Sequence, residues 1–272
     1  MSAVRGGYAD TRWGQVHYRS CGDTGPWIGL FHESPLSARA FDPVLPLLGA
    51  RCRAVAFDTP GYGASDPPPW DGFEIPDYAA VLGEAATALG MHRPVLAGVH
   101  TGASLAVEAA ARVPGGAAGL VLSGVPLFTG QERAEYLAGW TPAVPVDSPA
   151  APFDWAVARY RGIYGEDAPP AMTHVAVVEL LRVAERYDWA YRAAFRHDPA
   201  AALAAFPGPV LLLDAEHDLL ADKDPVALAL ARDARLVSVP GISGQPHIRT
   251  PERYAAEVGA FALARAGEEP AA

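Results

Sequence analysis

The stretch Pro94-Val95-Leu96-Ala97-Gly98-Val99-His100-Thr101-Gly102-Ala103-Ser104-Leu105-Ala106-Val107 decides how this chain folds. Pro94 to Val99 is a short apolar run of strand length. Ala103 to Arg112 is rich in alanine, the strongest helix former. Gly98 and Gly102 bracket His100 between them. The segment therefore predicts a strand and a helix with His100 in the short connection between them.

The same alternation extends outward. Trp27–Phe31, Arg53–Phe57, Gly119–Ser123, Val210–Asp214 and Arg235–Val239 read as further strands, and Arg12–Arg19 as an early antiparallel one. Pro76–Leu89 reads as a helix with Pro near its start and Gly90 closing it. Ala38–Leu48 has helical spacing interrupted by Pro43 and Pro46. Pro251–Ala264 reads as the closing helix and Ala266–Ala272 as a frayed tail. Apolar runs alternating with helices predict an α/β fold: a mostly parallel central sheet flanked by helices. The segment 126–206 breaks the pattern. It has helical patches, several prolines and no strand, and it holds almost half of the chain's aromatic residues. It reads as an inserted helical cap on a core formed by 1–125 and 207–272. Most of its aromatics would pack the cap, and a few would face a pocket, with Trp140, Trp155, Tyr160 and Trp189 as candidates.

Composition bounds the function. The chain has 272 residues, half of them hydrophobic, which is ample for one large domain. A net charge of −10 argues against a nucleic-acid partner. No apolar run is long enough to cross a bilayer, and Met1 to Asp10 lacks the apolar stretch of a signal peptide. The expected setting is the cytoplasm of a bacterium with a GC-rich genome, since Lys223 is the only lysine and asparagine is absent. Cys21 and Cys52 are too few for a disulfide scaffold or a structural zinc site and are expected to be reduced thiols. No nucleotide-binding glycine pattern is present, so no cofactor is indicated. The expected partner is a small-molecule substrate, with the protein a monomer or homodimer.

Five segments together resemble the α/β-hydrolase superfamily. Phe31-His32-Glu33-Ser34-Pro35 resembles the loop His-Gly-x-Pro that supplies one oxyanion-hole N–H. Asp58-Thr59-Pro60-Gly61-Tyr62-Gly63-Ala64-Ser65 looks like the D-x-x-G-x-G-x-S turn. Gly98-Val99-His100-Thr101-Gly102 carries the two glycines of the nucleophile elbow G-x-S-x-G. Leu211 to Asp218 resembles the strand and loop bearing the family's acid, and Pro240 to Tyr254 those bearing its histidine. The resemblance implies an α/β-hydrolase fold with the capped layout of epoxide hydrolases and haloalkane dehalogenases. It places the acid at Asp218 and oxyanion N–H groups at Ser34 and Thr101.

The departures bear on chemistry. His100 stands where the family has Ser, Cys or Asp, and Gly244 stands where it has the catalytic histidine. His247 falls on a second, usually structural, histidine. Serine-type acyl transfer needs a hydroxyl with a base beside it, and the covalent ester route of the dehalogenases needs Asp at the elbow. Neither is at its usual place, so the triad reads as degenerate. The vacated space would let the His100 imidazole reach Asp218, which would fix its tautomer and raise its pKa for acid–base work. The alternative is that His100 plugs a dead site. Glu33 reads either as a second acid/base group or as a surface residue, and His247 either as structural or as a replacement base. His32 is mainly a structural position that borders the pocket. His217 is expected to face solvent. Convergence of His32, His100, His217, Asp218 and His247 on a metal has no supporting spacing. The expected function is cofactor-independent acid–base chemistry by His100 with Asp218. It would be hydrolysis by activated water or a lyase, isomerase or cyclase step in bacterial secondary metabolism. A non-catalytic binding protein is the alternative.

Overall fold

The computed structural model describes residues 3–266. The expected frayed tail beyond Ala266 lies outside the described residues. Eight strands form one sheet: β1 (Arg5–Thr11), β2 (Gly14–Cys21), β3 (Trp27–Phe31), β4 (Arg53–Phe57), β5 (Val95–Val99), β6 (Gly119–Ser123), β7 (Val210–Ala215) and β8 (Ala234–Val239). Their order is β1-β2-β4-β3-β5-β6-β7-β8. The β1/β2 and β2/β4 pairs are antiparallel and the rest parallel. The chain is an α/β-hydrolase fold.

The helices are α1 (Leu45–Leu48), α2 (Ile75–Ala88), α3 (Thr101–Ala109), α4 (Gly130–Gly139), α5 (Ala151–Tyr164), α6 (Pro170–Arg182), α7 (Trp189–Arg196), α8 (Ala200–Ala205), α9 (Asp224–Leu230), α10 (Pro246–Arg249) and α11 (Pro251–Arg265). They cover both faces of the sheet, which explains why its central strands are continuous apolar runs. The period-2 alternation still sorts the side chains. Phe31, Val55, Phe57, Leu96, Leu120, Leu122 and Leu212 join one core with α2 and α3. Ile28, Leu30, Ala54, Ala56, Val95, Ala97, Val121, Leu211 and Leu213 join the other, with α1 and α11. Helices α4 to α8 stand between β6 and β7, in the segment where the sequence predicts no strand.

Two expectations are corrected. The early strand is a hairpin, because Arg12-Trp13 turn and Gly14 adopts φ 113°. The first strand carries little local signal because Arg5-Gly6-Gly7 is poor in strand-forming residues. The Ala38–Leu48 helix is broken into a 3-10 turn, Ala38–Phe41, and the single turn α1, since Pro43 supplies no N–H to continue the first.

Close backbone approach makes the glycines around His100 structural. A Cβ on Gly98 would lie 2.0 Å from the Gly102 carbonyl oxygen, and one on Gly102 would lie 2.0 Å from the Phe31 carbonyl oxygen. Gly102→Ala is expected to cost at least about 3 kcal/mol in urea unfolding. Gly130→Ala, where a Cβ meets nothing within 4 Å, is expected to be neutral or stabilising by up to about 1 kcal/mol.

Candidate active site

His100 follows β5 and opens α3 with φ 48° and ψ −110°. Its N–H donates to the Ser123 carbonyl at the end of β6 (2.9 Å), and its own carbonyl accepts from Ala103 N–H (2.8 Å). These bonds hold the apex in a conformation that L residues rarely adopt. The side chain points toward the loop after β7. There Nε2 lies 3.0 Å from both carboxylate oxygens of Asp218. Asp218 is fixed in turn by Leu220 N–H, which donates to its Oδ1 at 2.8 Å.

Two glycines make room for this pair. A Cβ at Gly124 would lie 2.3 Å from Cδ2 of the His100 ring, and one at Gly244 would lie 3.0 Å from Oδ2 of Asp218. Gly244 has φ 73°. Gly124 was not singled out in the sequence. It lies just past a strand in a loop with no motif, and only the position of the ring reveals its role.

The contact assigns the tautomer. A carboxylate accepts, so Nε2 carries the proton, and Nδ1 has no protein partner among the described residues. Burial favours the neutral ring. The charge and hydrogen bond of Asp218, with smaller effects from Glu33 and Asp214, outweigh that and raise the His100 pKa to about 9. At neutral pH the ring is therefore an imidazolium, with Nδ1–H as a free donor. For Asp218, burial pushes the pKa up, but His100 outweighs it and holds the acid below its ordinary value. Behind the pair, burial and the charges of Asp218 and Asp224 push Asp214 up to about 8. Its oxygens accept from Gly124 N–H (3.0 Å) and Ala215 N–H (2.8 Å). Asp214 is thus biased toward its protonated form, which lessens the negative charge beside Asp218.

A cavity of about 390 Å³ opens over His100 and Asp218. Its walls include Glu33 and Ser34 after β3, Trp140, Tyr160, Tyr164 and Tyr191 from the α4–α7 segment, and Ser243, Gly244 and Gln245 before α10. A second, narrower cleft beside His100 is lined by Thr101, Phe128 and Tyr136. Thr101 N–H is the first of helix α3 and has no intrahelical acceptor.

The sequence-predicted residues fall into groups. His100, Asp218, Glu33, Ser34, Trp140 and Tyr160 line the main cavity, and Thr101 lines the adjoining cleft. His247 is fully buried behind Glu33, with Nε2 3.4 Å from Glu33 Oε2 and its ring against Phe41 and Tyr254. Glu33 is buried rather than superficial. His32 is a loop fastener: its ring contacts the Glu33 carbonyl through Nδ1 and accepts Thr59 N–H through Nε2. Trp155 packs on Tyr187, and neither it nor Trp189 is among the residues lining either space. His217 does border the mouth of the main cavity but is 62% exposed. Among the described residues no three His, Cys, Asp or Glu side chains are grouped to hold a metal ion. Tyr164, Tyr191 and Gln245 were not predicted as pocket residues. Gln245 sits at φ 44°, next to Gly244.

The His100–Asp218 pair sets a sign for pH dependence. The raised His100 pKa contributes stability that is complete below its ordinary value of 6.5 and is lost as pH rises through about 9. Loss of the Asp214 proton near 8 acts in the same direction. The melting temperature is expected to fall from pH 7 to pH 10. In Asp218→Asn, the His100 NMR titration midpoint is expected to drop by at least about one unit.

Comparison with known proteins now adds to this geometry. A 115-residue segment is 36% identical to haloalkane dehalogenase 2 of Mycobacterium bovis, covering 39% of this chain and 40% of that protein. A 91-residue segment is 33% identical to 2-(acetamidomethylene)succinate hydrolase of Mesorhizobium japonicum, covering 34% of this chain and 32% of that protein. The aligned part is thus about two fifths or less of these relatives' length. Among solved structures, an N-acyl homoserine lactonase bound to N-hexanoyl homoserine superposes with a TM-score of 0.80 at 19% identity, covering 99% of this chain and 100% of that one. The E-2-(acetamidomethylene)succinate hydrolase structure superposes with a TM-score of 0.77 at 23% identity, covering 95% and 99%. At these identities the likeness is one of fold. Residues 25–257 match the alpha/beta hydrolase family as a whole, and the chain belongs to that family.

Proposed function

We propose that this protein is an acid–base enzyme acting on a small, largely apolar substrate, with a degenerate triad in which His100 and Asp218 replace the Ser–His–Asp arrangement. The observation that carries this reading is the 3.0 Å contact of His100 Nε2 with Asp218. In a normal triad the imidazole comes from the loop before α10. Here it comes from the elbow, so its tip nitrogen meets the acid and Nδ1 becomes the working atom. At neutral pH that atom donates. It would protonate or hold a developing oxyanion together with the N–H groups of Ser34 and Thr101. Burial would raise the Glu33 pKa, but His247 and His100 hold it below its ordinary value, so Glu33 would be the ionised base beside the cavity, reached by a small side-chain shift. In a lyase or isomerase step a substrate proton goes to Glu33 and His100 supplies one to the oxyanion. In a hydrolytic step the proton that Glu33 takes comes from water. Helices α4 to α8 act as the cap that closes the cavity. A tailoring step in bacterial secondary metabolism would suit such a site.

The completeness of the His100–Asp218 ion pair favours a second reading. A buried acid fully satisfied by an imidazolium is also what a plugged binding site needs. The two readings separate on His100→Ala, tested with esters, lactones, epoxides and β-hydroxy carbonyl compounds by mass spectrometry. The enzyme reading expects turnover to fall by roughly a hundredfold to ten-thousandfold with binding retained. Turnover equal in both proteins would remove His100 from the chemistry, and binding without turnover in the wild type would favour the receptor.

A further inference from the structure

The narrow cleft beside His100 is built differently from the main cavity. Its volume is about 50 Å³, against about 390 Å³ for the cavity. His100, Trp140, Tyr191 and Leu219 border both spaces, so the two adjoin at the His100 ring. This shared wall is accessible: the His100 side chain is 20% exposed and Leu219 is 56% exposed. Beyond it the cleft is closed by uncharged side chains, among them Phe128, Tyr136, Ala194, Phe195 and Leu220.

The cleft has walls that do not yield easily. Tyr136 stacks on Phe195 with ring centroids 5.1 Å apart and planes 19° apart. Phe128 lies 4.7 Å from Tyr136, and Tyr191 lies 5.8 Å from Phe195. Phe128, Phe195 and Leu220 form a small apolar core of their own. Leu220 is held in place because its N–H donates to Asp218 Oδ1 at 2.8 Å. Rings interlocked in this way accept an oversized group only by giving up contacts. A small apolar space binds apolar groups, and at about 30 Å³ per water-sized group this one holds about two carbon atoms. The main cavity, walled by Trp140, Tyr164 and Tyr191, takes a much larger, flat body. A ligand seated at His100 therefore meets two unequal chambers.

We propose that the substrate is a carbonyl compound with unequal sides: its carbonyl meets His100 Nδ1, a methyl- or ethyl-sized group enters the cleft, and the larger body fills the main cavity, with Tyr136 and Ala194 setting the size limit. This rests on the reading of the cavity as the substrate site and of His100 as its donor. The test is a binding titration, followed by probe fluorescence, with 6-methoxy-2-acetylnaphthalene and its propionyl and hexanoyl homologues. Wild type is expected to bind the propionyl probe at least about twofold more tightly than the acetyl one, since one more methylene is buried. The hexanoyl probe, although the most apolar, is expected to bind at least about tenfold more weakly than the propionyl one. Tyr136 lies on α4, none of whose residues is buried, so Tyr136→Ala opens the cleft without removing a core side chain. It is expected to bring the hexanoyl probe to within about twofold of the propionyl one. Ala194→Val, which fills the cleft, is expected to cancel the propionyl advantage over acetyl. A hexanoyl probe that binds wild type as tightly as the propionyl one, a limit that Tyr136→Ala leaves in place, a propionyl advantage that survives Ala194→Val, or failure of all three probes to bind overturns the proposal. Binding is read without turnover. A size limit found in a protein that transforms nothing therefore leaves the subsite standing and removes only the enzyme reading, whereas turnover that His100→Ala abolishes, without a size limit, removes only the subsite.

Discussion

The site depends on the forced backbone of one residue. His100 is held at a positive φ by hydrogen bonds to β6 and within α3. That turn is possible only because Gly98 and Gly102 let three backbone segments meet without side chains between them. The strain is compensated by the two packed cores on either face of the sheet. Because β3, β5, β6 and α3 all converge at this point, the direction of the His100 ring is a property of the sheet. It is not a choice among loop conformations.

From that fixed point the electrostatics follow. An imidazole aimed at a buried carboxylate becomes charged, and the charge in turn keeps Asp218 ionised. A second acid, Asp214, is pushed above its ordinary pKa by burial first and by Asp218 and Asp224 next, and serves as a hydrogen-bonded strut. The reversed approach of the ring exchanges the roles of its nitrogens relative to a serine-type triad. A group that would be a base beside serine becomes a donor at neutral pH. The same fold therefore presents a different chemical face.

Glu33 is the counterpart on the other side of the cavity. It occupies a loop fastened by His32 to Thr59, and by Asp58 to His17, Ala38 and Ala64. His247, in α10, stands behind it. The aromatic side chains of α4 to α7 then complete the walls. Glu33, His100 and Asp218 thus border one cavity with an aromatic wall, and Thr101 lines the cleft beside it. The loops at the ends of the strands supply the ionisable side chains, and the α4–α7 segment supplies most of the aromatic wall.

Much of this was legible in the residues. The central strands were read to within a residue or two, because a strand buried on both faces is a short apolar run that ends abruptly. The elbow was legible because Gly98 and Gly102 bracket His100 at a spacing that only a cramped turn requires. The place of Gly244 in an ordered series of motifs set it near Asp218, and the structure brings the two together. The Gly-rich first strand was not legible, since pairing with β2 stabilises it and its own side chains contribute little. Nor were the roles of Gly124, Gln245 and Tyr164, or the absence of Trp155 and Trp189 from the cavity wall. Sequence by itself determined the fold and the identity of the residue at the elbow, because local backbone sterics and hydrophobic periodicity act over a few neighbouring residues. Only the tertiary structure decided which nitrogen of His100 meets Asp218, that Glu33 is buried without a hydrogen bond, and which aromatics face the cavity. Those depend on distances between segments more than a hundred residues apart in the chain, which no local pattern encodes.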